Sequence, residues 1–126
     1  MKKRNLLLSF ILLFVIAYIA FGAWISHDTK IILEEAMKKD ADMNYMSPSA
    51  YSKINPVERG MASDGFEYHS SSHHIGFVLP LHYFAGAKVY VTQKYDDDNF
   101  AFKEPVQLTL KLKSGKWYAT EVSIQP

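Results

Sequence analysis

The side chains best suited to chemistry gather in the middle of this 126-residue chain, where His69, His73 and His74 bracket Ser70 to Ser72 and His82 follows. Imidazoles grouped at a turn can bind a divalent transition metal or titrate near neutral pH. Spacing argues against a compact centre. On a strand, His73 and His74 point to opposite faces, and His82 shares the face of His74 but lies more than ~20 Å along it at ~3.3 Å per residue. His69 and His73, across the turn, are the one workable pair and the only metal candidates. Two nitrogens without a third ligand make a weak zinc site, so the histidines read as structural or solvated.

Asp96, Asp97, Asp98 and Asn99 form the second cluster. Grouped carboxylates can hold calcium, but no glycine stands at the sixth position of an EF-hand loop and Glu104 falls short of the twelfth, so a solvated acidic turn is expected. The chain has no cysteine, hence no thiol nucleophile and no disulfide. It also lacks a G-x-S-x-G elbow, an H-E-x-x-H helix and a phosphate-cradling glycine loop. Glu67 or Asp64 beside His69 gives an acid–base pair without a defined pocket. The expectation is a protein that is not an enzyme and holds no cofactor.

The elements that position these residues begin with residues 5–25, NLLLSFILLFVIAYIAFGAWI, behind Lys2, Lys3 and Arg4. About 20 apolar residues rising ~1.5 Å each cover a ~30 Å hydrocarbon core, which predicts one transmembrane helix with the lipid bilayer as its partner. The basic stub, residues 1–4, should stay in the cytoplasm and place residues 26–126 outside. A cleaved secretory signal with Ala20-Phe21-Gly22 at its cut site is the competing reading. The run exceeds the usual apolar length of such signals, and Trp24 stands where an interfacial anchor belongs, so a retained single-pass helix is preferred.

Residues 26–63 follow as a juxtamembrane helix and short helical turns. The stretch 26–42 sets Ile32, Leu33, Ala36 and Met37 on one stripe and pairs Glu34 with Lys38 and Glu35 with Lys39, the pattern of an amphipathic helix that either continues the span or restarts at Ser26 or Asp28. Ser47-Pro48 and Asn55-Pro56-Val57-Glu58, with Gly60 behind, carry helix-start signals. From Asp64 the period becomes two, so residues 64–126 read as an antiparallel sheet of the same extracytoplasmic domain. Strands are expected over 65–70, 74–84, 87–95, 106–113 and 116–124, with Pro80 marking an edge, bulge or bend. The hairpin turning at Ser114-Gly115 is the clearest pair, its first strand alternating Val106, Leu108, Leu110 and Leu112 against polar residues.

The fold class is therefore α+β, an N-terminal transmembrane helix followed by one amphipathic helix on a four- to five-stranded antiparallel sheet. The terminal pattern Val106-Gln107-Leu108-Thr109-Leu110-Lys111, Ser114-Gly115-Lys116-Trp117-Tyr118 and Val122 resembles the last hairpin of the cystatin-like and NTF2-like superfamily, over about the last third of the chain. That resemblance implies a cone-shaped fold with a pocket between helix and sheet. It also implies kinship with membrane-anchored bacterial envelope proteins such as single-span components of conjugation machines. This chain departs in having room for one long helix where such domains usually carry about three, which counts against catalysis.

Outside the stub, eleven basic residues face thirteen acidic ones, so there is no basic footprint for nucleic acid. Aromatic residues are many, and Tyr68, Tyr83, Tyr90, Tyr95 and Trp117 are expected largely on faces opposite the aliphatic series, where exposed rings mark contact surfaces. Tyr90, Thr92, Gln107, Thr109 and Trp117 form the expected partner-binding face. The function expected is a cell-membrane, extracytoplasmic interaction or assembly module of the bacterial envelope, meeting another membrane or envelope protein. The alternative is a domain that senses a small ligand, a metal or pH through a helix–sheet pocket.

Overall fold

A computed structural model describes residues 2–83, 85–98 and 100–124. Phe84, at the end of an expected strand, and Asn99, of the acidic turn, lie outside the described residues. Among the described residues the chain is α+β, with two helices, a short 3-10 turn and a five-stranded antiparallel sheet.

Helix α1 (Lys2–Ala36) is one uninterrupted element of 35 residues, long and apolar enough to cross a membrane. The boundary expected at residue 25 is thus no break, because no proline or glycine pair interrupts the ladder there. Its two halves differ in surroundings. Large apolar residues from Leu6 to Ile16 are exposed, whereas Ile25, Asp28, Thr29, Ile32, Leu33 and Ala36, spaced at three and four, are buried on the sheet. Two polar members of that stripe are satisfied locally. Thr29 Oγ1 donates to the Ile25 carbonyl (2.7 Å), and Asp28 Oδ2 accepts the Trp117 amide (3.1 Å).

The helix stops at Ala36, so the expected pairs of Glu34 with Lys38 and Glu35 with Lys39 do not form. Lys38 instead reaches Glu35 three residues back (3.0 Å), and Lys39 Nζ donates to the Asp64 carbonyl. Buried Asn55 closes the end of α1, its Nδ2 donating to the carbonyl of Ala36 at 3.0 Å. Helix α2 (Pro48–Ile54) starts as its sequence requires, with Ser47 Oγ accepting the Ala50 amide and proline in the first turn. The next signal, at Asn55-Pro56, gives a hydrogen-bonded turn in which Asn55 Oδ1 accepts the amides of Val57 and Glu58. Gly60 ends it at φ 74°.

The strands are β1 (His73–Ile75), β2 (Leu79–His82), β3 (Gly86–Asp96), β4 (Ala101–Lys113) and β5 (Lys116–Ile124). Both β1 and β2 pair with the same edge of β3, and β4 and β5 continue the sheet on the other side. The single strand expected over 74–84 is thus broken in two, Gly76 donating its amide to the Thr92 carbonyl (2.9 Å) between the halves. A Cβ there would sit 3.1 Å from that same oxygen, which explains the glycine. Pro80 lies in β2, an edge strand, as a missing donor demands. The strand expected over 65–70 is absent. Phe66 and Tyr68 instead pack their rings against Tyr95, and the His69 amide is donated to the Tyr95 hydroxyl.

The β4–β5 hairpin turns at Ser114 and Gly115 with φ of 52° and 78°, the two positive values of a type I′ turn. Opposite Thr109 and Leu110 the register slips by one residue, since Thr109 pairs with Glu121 but Leu110 with Ala119. This bulge moves Trp117 and Ala119 onto the same face as Val122, and all three are buried with Val89, Val91, Leu108 and Leu110 against α1 and α2. The free side of β5 is covered by residues 45–47, where Ala119 donates to the Tyr45 carbonyl and Ser47 donates to the Ala119 carbonyl.

Candidate functional site

The outer face of the sheet, away from α1, carries the candidate site. Tyr90 and Thr92 project from β3, Pro105 and Gln107 from β4, and Ser123 from β5. With Phe77 and Leu79 they line an open groove of about 370 Å³. An adjoining groove of about 290 Å³ is more polar and includes Lys88, Gln107, Thr109 and Glu121. Four of the five residues expected to bind a partner, Tyr90, Thr92, Gln107 and Thr109, therefore lie together. Period-two alternation put them there.

Trp117 does not join them. It is wholly buried on the opposite face, its ring edge-on to Trp24 at 5.7 Å. Strict alternation from Tyr118 to Val122 misplaced it, because the extra residue at the bulge reverses parity within β5. Tyr95 is buried too, continuing the inner series of Val89, Val91 and Gln93, while Tyr68 is half-buried. Tyr90 (40 % exposed) and Tyr83 (74 %) are open to solvent. Sequence reasoning missed Phe77, at 84 % the most exposed large apolar side chain among the described residues, and Leu79, because both were assigned to a continuous strand with a buried face. The Gly76-Phe77 step beside Pro80 is the signal that an edge breaks there.

Among the described residues, no carboxylate, imidazole, amine or guanidinium side chain lines the larger groove. It offers aromatic and aliphatic surface, an amide and the three hydroxyls of Tyr90, Thr92 and Ser123, which suits binding. Trp24, expected as an interfacial anchor, faces the domain instead and contacts Phe21 and Trp117.

The metal candidates separate. His73 is buried and both its ring nitrogens are taken, Nδ1 by the Tyr68 hydroxyl (2.7 Å) and Nε2 by Gln93 Oε1 (2.9 Å). Gln93 Nε2 donates to Glu104 Oε1 (3.3 Å), and Arg59 grips both oxygens of Glu104 at 2.7 and 2.9 Å. The chain of bonds fixes the tautomer. Since the Glu104 carboxylate can only accept, Gln93 turns its oxygen to the ring, so in the neutral imidazole Nε2 carries the proton and Nδ1 accepts the Tyr68 O–H. Burial holds His73 below the ordinary imidazole pKa, outweighing the bond to Gln93 and the charge of Glu34, which raise it. Burial likewise pushes the Tyr68 hydroxyl up.

His69 is largely exposed, with Nδ1 3.7 Å from Asp97 Oδ2. Among the described residues, no three His, Cys, Asp or Glu side chains converge as a metal site would require. In the acidic turn, Asp97 accepts the Phe100 amide (2.9 Å) through one oxygen and the Tyr95 hydroxyl (3.0 Å) through the other, so its carboxylate organises the turn. The space where a helix–sheet pocket was expected is filled by Ile25, Ile32, Leu33, Leu108 and Trp117.

Comparisons with protein-family models, with curated proteins and with solved structures return no match.

Proposed function

We propose that this chain is a single-pass membrane protein, N-terminus inside, whose extracytoplasmic domain of cystatin-like or NTF2-like kind acts as an interaction or assembly module of the bacterial envelope. The observation that carries the reading is the groove on the outer sheet face. Its exposed Tyr90 and Phe77 beside Leu79 and Pro105, with no carboxylate or cationic side chain among the described residues of its lining, suit an apolar segment of another protein. A helix that confines the domain to the membrane plane raises its effective concentration for a membrane-bound partner. Retention of that helix is supported by packing, since cutting after Gly22 would remove Tyr18, which stacks on His82, and Phe21, which packs on the core.

Placing a photo-crosslinking phenylalanine at Tyr90 in cells that normally make the protein tests the reading. A discrete adduct formed from Tyr90 and not from Asp40, which is exposed beyond the end of α1, is expected, and its absence removes the proposal.

A second reading, pH sensing, is favoured by one observation, the burial of neutral His73 between Tyr68 and Gln93. It requires a stability that falls in mild acid, since burial lowers the His73 pKa.

A further inference from the structure

Resting on the interaction reading above, the charges at the two ends of the outer groove bear on what it takes. We infer that its occupant is a segment of another protein that is apolar at its middle and acidic at both ends, with the acidic groups about 20 Å apart at the strand rise of ~3.3 Å per residue.

Register sets the charges. On the outer face His74, Lys94 and Lys103 lie side by side across β1, β3 and β4, all exposed, with Lys94 directly opposite Lys103. Towards the other end, Lys88 and Lys111 occupy exposed outward positions of β3 and β4, and Lys113 stands opposite Lys116 at the hairpin. Like charges directly opposed on one face of a sheet are destabilising. The hairpin pair is relieved by rings, Lys113 Nζ lying 4.5 Å from the centre of Tyr118 and Lys116 Nζ 4.8 Å from that of Tyr45. Lys88, Lys94, Lys103 and Lys111 have no such relief.

Compensation from the domain itself is slight. Asp96 and Glu121 are the carboxylates at outward positions of the three long strands, and both are exposed. Among the described residues the lysine and arginine ion pairs are Lys38 with Glu35 and Arg59 with Glu104, so neither Asp96 nor Glu121 closes on a lysine of this face. The domain thus keeps separate positive charge at both ends of the groove.

Between those ends the lining is uncharged. Phe77, Leu79, Tyr90 and Pro105 supply most of its apolar surface. Lys94 and Lys88 are six positions apart on β3, which is ~20 Å. An anionic polysaccharide or nucleic acid is charged along its whole length and would have to desolvate anions over that apolar floor with nothing there to pair them. A protein segment carrying its carboxylates only at the ends meets both basic groups and covers the rings between them.

Charge reversal in the full-length chain, with the photo-crosslinking phenylalanine kept at Tyr90 in cells that normally make the protein, tests this. After brief irradiation, Lys94→Glu and Lys88→Glu should each give about fivefold less adduct than the unaltered chain, and Lys30→Glu, exposed on α1, should change it by less than about twofold. Peptide mass spectrometry of the adduct should show Asp or Glu on both sides of an apolar stretch of a second protein. In urea, Lys94→Glu should unfold at no lower concentration than the unaltered chain, because a glutamate between His74 and Lys103 removes the like-charge contacts. An adduct whose yield ignores both reversals, or whose attached segment lacks acidic ends, overturns this inference and leaves the interaction reading standing. A lower urea midpoint for Lys94→Glu does the same, since it would mean that Asp96 already balances the lysines. An adduct that protease does not shorten assigns the groove to an anionic polymer, and one made of two copies of this chain assigns it to self-association; either overturns the inference. Failure to form any adduct removes the interaction reading and this inference together.

Discussion

The Tyr18 ring lies on the His82 imidazole with centroids 3.9 Å apart and planes 20° from parallel, joining the apolar helix to the edge of the sheet. The same imidazole bonds the Tyr18 carbonyl through Nε2, so one side chain holds the helix by face and by edge. Nothing in the local sequence announces this, since 64 positions separate the two residues.

His82→Ala should therefore loosen the junction. Loss of a stacked aromatic contact and one hydrogen bond predicts destabilisation of about 1–3 kcal/mol. Leu81→Ala, one residue away and exposed, should stay within about 0.5 kcal/mol in detergent solution. Urea unfolding followed by tryptophan emission measures both. Equal effects would mean that the Tyr18–His82 contact contributes nothing to the fold.

The two faces of the sheet make opposite predictions for two aromatic residues. Trp117→Ala removes a fully buried ring packed on Trp24 and should cost about 3–5 kcal/mol. Tyr90→Ala, on the outer face, should cost less than about 1 kcal/mol while abolishing partner capture. A melt in which Tyr90→Ala is the more damaging would reverse the assignment of the faces.

The buried His73 sets a pH dependence with a definite sign. Its pKa is lowered in the folded protein, so between the folded value and about 6.5 the unfolded chain binds more protons, and stability falls as pH falls through that window. Protonation would also put a second hydrogen on the ring, at the nitrogen that now accepts from Tyr68. Denaturation curves at neutral pH and at mildly acidic pH should show the loss, and His73→Gln should flatten that part of the profile even if it lowers the whole curve. An unchanged slope in the variant would show that His73 is not the responding group, and the sensing reading would lose its support.

Much of this architecture was legible before any coordinates. Turn chemistry located the hairpin at Ser114-Gly115, alternation placed Tyr90, Thr92, Gln107 and Thr109 on one face, and Ser47-Pro48 marked the start of α2. What failed depended on single long-range facts. One extra residue opposite Thr109 and Leu110 sent Trp117 inward, and periodicity cannot register a bulge that its own strand does not signal. Rings at Phe66 and Tyr68 look like strand residues by type, but they pack on the Tyr95 cluster, and the Phe66 amide turns back to the Ser63 carbonyl. The network from Arg59 to Tyr68 spans four separate segments, so its members read individually as common polar residues.

An unbroken α1 about 50 Å long, at ~1.5 Å for each of its 35 residues, has no swivel between its bare and its packed half. Whatever sets the tilt and rotation of residues 5–17 thereby sets the compass heading of the outer groove. Two such rods pairing through their bare halves would hold their grooves at one fixed angle to each other. Inserting a flexible Gly-Ser joint after Ala17 would free that angle without altering a single residue of the sheet.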